Sequence, residues 1–280
     1  MKSFTTTILS FLALSLTLAA GEEVLFFDDF SGDSLDRSKW NVEVSGPLYN
    51  QEQQAYVDSV KTLYLAKGET AQGAKNGALV LHPRFAPKTK TTHGKTYDFI
   101  SARLNSKHKA EFLYGIISAR IRMSKGAGLW TAFWMLGNGA WPSTGEIDIM
   151  ENVGEADWAG VALHGPKYNG DTPLVNKFFL DPTTDATEWH VYSVEWRKNG
   201  FHFKIDGRLT YRVTRTMVEI YGDWVFDTPQ HLLLNVALGG GYPLKTNGVK
   251  SPYLGLPKET VDLIKADKAM MLVDWVKVTK

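Results

Sequence analysis

From Leu113 onward the chain is a succession of short runs whose residues alternate in polarity, broken by Gly, Asn and Asp and seldom by anything helical. Leu113–Met123 (LYGIISARIRM) sets Leu113, Gly115, Ile117, Ala119 and Ile121 against Tyr114, Ile116, Ser118 and Arg120, a period of two that suits an extended strand with one face buried. The runs His190–Trp196, Phe201–Ile205, Leu209–Val213, His231–Leu238 and Met271–Val278 read in the same way. Asn199-Gly200 and Asp206-Gly207 fall between such runs and predict tight hairpins, and Asn76-Gly77, ahead of the run Ala78–His82, predicts a third. The best helical signal is short, Lys258–Lys268 behind Pro257. The basic, turn-rich stretch Arg84–Lys95 reads as a solvated loop. Many short strands without alternating helices imply an all-β fold, an antiparallel sandwich or jelly roll.

Charge and composition exclude several functions. A formal net charge of +1 gives no long-range field for nucleic acid or an anionic membrane. With no cysteine there is no thiol nucleophile and no cysteine metal site, and the seven histidines are scattered without ligand spacing. Nine tryptophans are a high share, of the kind that accompanies stacking on a ligand, while a core role is the default for any one of them. The first 20 residues read as a secretory signal: Lys2, an apolar run from Ile8 to Leu18, then Ala19, Ala20 and Gly21 at a cleavage zone. A retained signal anchor is the alternative. No repeat or linker interrupts residues 21–280, so one catalytic-sized domain is expected there, secreted and free of the membrane once the signal is removed.

The informative segment is Thr144–Gly154, TGEIDIMENVG. In a strand, Glu146 and Asp148 point one way and Ile147 and Ile149 the other. Strict alternation would then turn Glu151 into the core, burying an unpaired charge. One extra residue near Ile149-Met150, a β-bulge, returns Glu151 to the side of the other acids. The backbones of Glu146 and Glu151 are then about 13 Å apart at a rise of roughly 3.3 Å per residue. Side chains leaning toward Asp148 shorten that gap toward the roughly 5–5.5 Å that separates the two carboxyls of a retaining glycosidase. In such a pair one carboxylate attacks the anomeric carbon and the other donates, then accepts, a proton. Three crowded acids cannot all ionise cheaply, so at least one is held protonated. A solvated acidic edge or a cation site is the plainer alternative. Just upstream, Trp130, Ala132, Trp134 and Leu136 share one strand face opposite Phe133 and Met135. That pattern suits a strand with core behind it and an aromatic-lined cleft in front. Trp134 and Trp141 are the cleft candidates, and Trp130 stands between cleft and core. Gly239-Gly240-Gly241 lacks a lysine or a helix start and reads as a loop at the cleft edge.

Gly145–Glu151 (GEIDIME), following Trp130-Thr-Ala-Phe-Trp134-Met-Leu and Trp141-Pro142, resembles glycoside hydrolase family 16. The likeness is to its bulged E-x-D-x-x-E branch, which includes laminarinase-type endo-β-1,3-glucanases. It extends to Phe27-Asp-Asp-Phe30, Arg103 in SARLNS, His164-Gly165-Pro166, Val194-Glu-Trp196, Leu234-Asn235 through Gly240, and Val273-Asp-Trp-Val276. Relatives often carry proline where Thr131 stands and Gly-Tyr-Ser in place of Lys167-Tyr168-Asn169. The resemblance implies a β-jelly roll of two antiparallel sheets with a concave substrate cleft. It implies Glu146 as nucleophile, Asp148 as assisting acid and Glu151 as acid/base, acting on a neutral β-glucan without a cofactor, in a monomer. It places His164 near the acid/base, gives Asn50 and Arg103 polar contacts with sugar, and implies a structural calcium held partly by Asp274. A galactan-active relative such as an agarase, a transglycosylase using the same residues, and a glycan-binding jelly roll without catalysis are the alternatives.

Overall fold

The computed structural model describes residues 22–45 and 49–280, so the expected signal, residues 1–20, lies outside the described residues. In chain order the strands are β1 (Val24–Asp28), β2 (Asn41–Val42), β3 (Gln54–Tyr56), β4 (Leu63–Ala66), β5 (Ala78–Leu81), β6 (Arg84–Lys90), β7 (Thr96–Ser101), β8 (Arg103–Asn105), β9 (Glu111–Phe112), β10 (Gly115–Met123), β11 (Leu129–Gly137), β12 (Glu146–Asn152), β13 (Trp158–His164), β14 (Val175–Phe179), β15 (His190–Arg197), β16 (Gly200–Ile205), β17 (Arg208–Thr214), β18 (Gln230–Leu238) and β19 (Met271–Thr279). The helices are α1 (Arg215–Glu219), α2 (Gly241–Asn247) and α3 (Lys258–Lys265).

Among the described residues these strands form two eight-stranded antiparallel sheets. One runs β17-β16-β15-β10-β19-β5-β4 with β1 on β19, and the other β14-β13-β12-β11-β18-β8-β2 with β9 on β18. The period of two in the sequence joins them. Ile117, Ala119 and Ile121 of β10, Tyr192, Val194 and Trp196 of β15, and Phe201 and Phe203 of β16 meet Phe133 and Met135 of β11, Leu232 and Leu234 of β18, and Val161 and Leu163 of β13 in one core. Each such side chain contributes about 1.5–3 kcal/mol when fully buried. A one-residue slip would expose the whole set, so register is firmly fixed. The result is a jelly-roll sandwich.

The hairpin at Asp206-Gly207 has positive φ at both residues, 50° and 78°, as a two-residue turn of the primed kind requires. At Asn199-Gly200 the turn lies one residue earlier, because Gly200 already pairs with Arg197. Asn76-Gly77 does not make a tight hairpin: β4 and β5 pair across a long connection, residues 67–77. The Arg84–Lys95 loop is also corrected. Arg84–Lys90 is β6, an edge strand of a third sheet, β3-β7-β6, with Phe85 edge-on to Phe99 at 5.5 Å. Pro87 and Lys88 sit where its register shifts, between the pairs at Phe85 and Thr89, which an edge strand tolerates and which masks its alternation. The Lys258 helix ends at Lys265, and the triple glycine runs directly into α2 and not into a plain loop. Gly240, with φ 95°, admits no side chain there, since a Cβ would lie 2.6 Å from the Asn50 carbonyl.

Candidate active site

In β12 the core takes Ile147, Ile149 and Met150, none more than 2% exposed. The strand pairs with β11 as Leu136↔Glu146, Trp134↔Asp148, Phe133↔Met150 and Ala132↔Glu151, leaving Ile149 without a partner. The bulge therefore falls where the sequence places it. Ala132, Trp134 and Leu136 are two residues apart and share a face, and directly opposed residues share a face too. All three acids consequently stand on one side of the sheet, away from the core. On the other flank Glu146 pairs with His164, Asp148 with Ala162 and Glu151 with Gly160. Carried across the sheet, the same face holds Arg103 of β8, Asn235 of β18 and Lys177 of β14. Ala132, Gly160 and Ala162 leave the floor around the acids low, with room for a sugar ring.

Each outer acid receives an indole N–H. Trp141 Nε1 donates to Glu146 Oε2 at 2.7 Å, and Trp130 Nε1 donates to Glu151 Oε1 at 2.7 Å. Trp130 therefore belongs to the groove and not to the core. His164 Nε2 lies 3.2 Å from Asp148 Oδ2 and 3.7 Å from Glu146 Oε1. This corrects the expectation that His164 stands by the acid/base: strand register sets it beside Glu146, at the far end of the set from Glu151.

Burial governs the charge of the three acids. It raises Glu146 to about 8, with repulsion from Asp148 adding to it and His164 and the Trp141 N–H opposing it. Burial alone raises Asp148 to about 8. Glu151 is raised to about 8 by burial and by Asp148, against the Trp130 hydrogen bond. Asp148 Oδ2 is buried and has no aligned hydrogen-bond donor among the described residues. A carboxylate in that position is costly, a carboxylic acid is not. Asp148, without such relief, favours its protonated form, whereas the ionised form of Glu146 is eased by His164 and the Trp141 N–H and that of Glu151 by the Trp130 N–H, His164 and Lys177.

Such shifts affect stability. Between the ordinary value of Asp148, 3.8, and about 8, the folded protein binds a proton that the unfolded chain has lost. Stability then falls as pH rises through that window. Asp148→Asn should therefore raise the melting temperature relative to wild type near pH 9, by the equivalent of a few kcal/mol at about 1.36 kcal/mol per pK unit, yet match it near pH 3. Melting scans at the two pH values test this. An equal gap at both would remove the burial argument.

Residues 46–254 match the model of Glycosyl hydrolases family 16. The chain belongs to this family. It is 34% identical over 233 residues to a beta-glucanase of Rhodothermus marinus, covering 79% of this chain and 77% of the relative. It is 29% identical to glucan endo-1,3-beta-glucosidase A1 of Niallia circulans, covering 93% of this chain and 38% of that protein, so it spans well under half the relative's length. The X-ray structure of endo-beta-1,3-glucanase from Pyrococcus furiosus superposes with a TM-score of 0.78 at 30% identity, over 92% of this chain and 94% of that one.

Within this family 16 glycoside hydrolase the remaining sequence candidates separate. Trp134 lines the groove, its Nε1 donating to Asn235 Oδ1 at 2.8 Å, and the Arg103 guanidinium lies 4.8 Å over its ring. Arg103 is also held 3.1 Å from Glu43 Oε2. Asn50 is exposed on the turn Tyr49–Gln51, against Gly240. Asp274 lies in the other sheet, at the position where β19 shifts register against β10. Its Oδ2 accepts from Arg120 at 2.6 Å and its Oδ1 from the Lys75 N–H at 2.9 Å. In this structure Asp274 is therefore the ion-pair partner of Arg120, and a structural calcium at this position is not evidenced. Glu146, Asp148 and His164 place ligand atoms within 4.8 Å of one another, a spacing that could hold an ion. Family 16 glycosidases need no cofactor for catalysis.

Three groove residues escape the sequence. Asn235 is the single polar residue in Leu232–Leu238, and that isolation was its signal. Tyr242 packs edge-on to Trp130 at 5.4 Å, and burial with the Glu151, Asp148 and Glu155 carboxyls keeps its hydroxyl protonated. Lys177 Nζ lies 3.8 Å from the Trp158 ring centroid. Neither of these two had a local signal.

Proposed function

We propose that the hydrolase is a secreted, retaining endo-glucanase that cuts internal β-1,3 or mixed β-1,3/1,4 bonds of a neutral glucan. The observation that carries this is the bulge at Ile149, which sets Glu146, Asp148 and Glu151 side by side on one groove face with an indole donor on each outer acid. Glu146, ionised, attacks the anomeric carbon as the bond to the departing sugar breaks. Glu151 gives its proton to that sugar's oxygen. The covalent ester on Glu146 is then attacked by water, whose proton passes to Glu151, and the Glu146 carboxylate leaves. With Trp130 bonded to Oε1 of Glu151, Oε2 remains to carry the transferred proton. Asp148, protonated between them, stabilises whichever neighbour is ionised. Trp134 and Trp141 offer indole surface to the C–H faces of sugar rings, and Arg103, His164 and Asn50 supply polar contacts. Residues 21–280 serve as one catalytic domain, a reading supported by Val24 of β1 pairing with Thr279 of β19.

Reducing ends released from laminarin, with the products sized, test the activity: internal cuts give a ladder of oligosaccharides. Proton NMR of early hydrolysis should show the β-anomer first, as two inversions require. An α-anomer appearing first would exclude double displacement, and glycan binding without any cut would leave only a binding module.

A further inference from the structure

The groove is not open along its whole length. Tyr242, resting on Trp130, places α2 on the groove side at the Glu151 end of the strands. The β13–β14 connection is rooted at the opposite end. There His164 is level with Glu146, Thr172 Oγ1 donates to the Leu163 carbonyl at 2.8 Å, and Leu163 N donates to the Leu174 carbonyl at 3.0 Å. Yet Lys245 of α2 forms a salt bridge with Asp171 of that connection. The groove floor runs across the strands, from Arg103 on β8 to Lys177 on β14. A contact that joins the two ends of the strands on the groove side has to pass over it.

We infer that Lys245 and Asp171 form a strap across the groove that selects unbranched main-chain segments of the glucan. This rests on the β-glucan reading above and adds a substrate class to it. A linear chain lies under the strap, whereas a sugar carried as a side branch collides with it. The partners are 60% and 85% exposed in their side chains. A pair so exposed is worth at most about 1 kcal/mol and is screened by salt, so the strap parts to admit an internal segment and closes over it. Exclusion of this kind discriminates by a clash, without adding contacts to the preferred chain.

Wild type should cleave an unbranched β-1,3-glucan in preference to one carrying single-glucose side branches on O6. Asp171→Asn and Lys245→Met should each raise kcat/KM on the branched polymer by about three- to fivefold, the most that removing so exposed a contact can return, and leave the unbranched polymer within about twofold. High salt should move wild type in the same direction. Because the chain has no cysteine, Asp171→Cys with Lys245→Cys provides two unique thiols that a short bis-maleimide can join. The linked protein should lose the branched polymer altogether and keep short linear oligosaccharides. A branched-to-unbranched ratio unchanged in both single variants, or thiols that do not cross-link in the folded protein, overturns the strap. If no form cuts either polymer the glucan reading falls and takes the substrate class with it, while the cross-link still reports whether the strap exists.

Discussion

Glu146→Gln should lower hydrolysis of laminarin by about 10⁵-fold or more, the scale reached when a covalent nucleophile is removed from a site built around it. The amide keeps the size of the acid and its carbonyl still accepts the Trp141 N–H, so the fold and the groove are preserved. Polymer binding, which the proposal assigns to Trp134, Trp141 and Arg103, should stay within a few-fold of wild type. The remaining acids cannot substitute. Asp148 is buried and its protonated form favoured, with one oxygen lacking a donor, and Glu151 stands at the other end of the set with Oε1 taken by the Trp130 N–H. Glu146→Ala, assayed on an aryl glucoside with added azide, should regain turnover and release an α-glycosyl azide, because the small anion attacks from the face the carboxylate has vacated. Residual activity within tenfold of wild type in Glu146→Gln would show that another group attacks the sugar.

Glu151→Gln should cost about 10²–10⁴-fold on the polymer, the usual contribution of general acid–base catalysis. The loss should be far smaller in the first step on an aryl glucoside, whose leaving group departs without a proton. The pH profile gives an independent reading. Burial raises Glu151 to about 8, so in wild type the proton is in place up to roughly that value and activity falls above it. The variant has no such proton to lose, and its profile should lack the alkaline limb. Azide added to Glu151→Ala should yield the β-glycosyl azide, since the ester on Glu146 still forms and is intercepted from the opposite face. Opposite anomers from the two alanine variants separate nucleophile from acid/base in a single assay. The same anomer from both would cancel the assignment.

The acids were legible because their constraint is local. Alternation forces a choice between a buried charge and a bulge at Ile149, and the core demands of Ile147, Ile149 and Met150 decide it. Strand positions were legible for the same reason. What the sequence hides is pairing at a distance. Arg120 and Asp274 are 154 residues apart, so no local pattern announces the ion pair between them. His164 is set beside Glu146 by register between β12 and β13, which no local pattern announces. Strand β6 carries Pro87 and three lysine or arginine residues in seven, Arg84, Lys88 and Lys90, so its composition imitates a loop although its backbone pairs. Tyr242 reaches the site only because α2 folds back onto Trp130.

The unpaired Ile149 also bears on how the number of residues between the acids can vary. Without it the strand would read Glu-Ile-Asp-Met-Glu, and plain alternation would already set all three acids on one side. Ile149 is one residue more than that spacing needs, and the bulge absorbs it: Glu146 and Glu151 still stand opposite Leu136 and Ala132, four residues apart on the neighbouring strand, with both ends keeping their orientation. One peptide unit is thereby stored inside the strand, its side chain spent on the core, while the two outer acids keep their facing and their partners across the ladder.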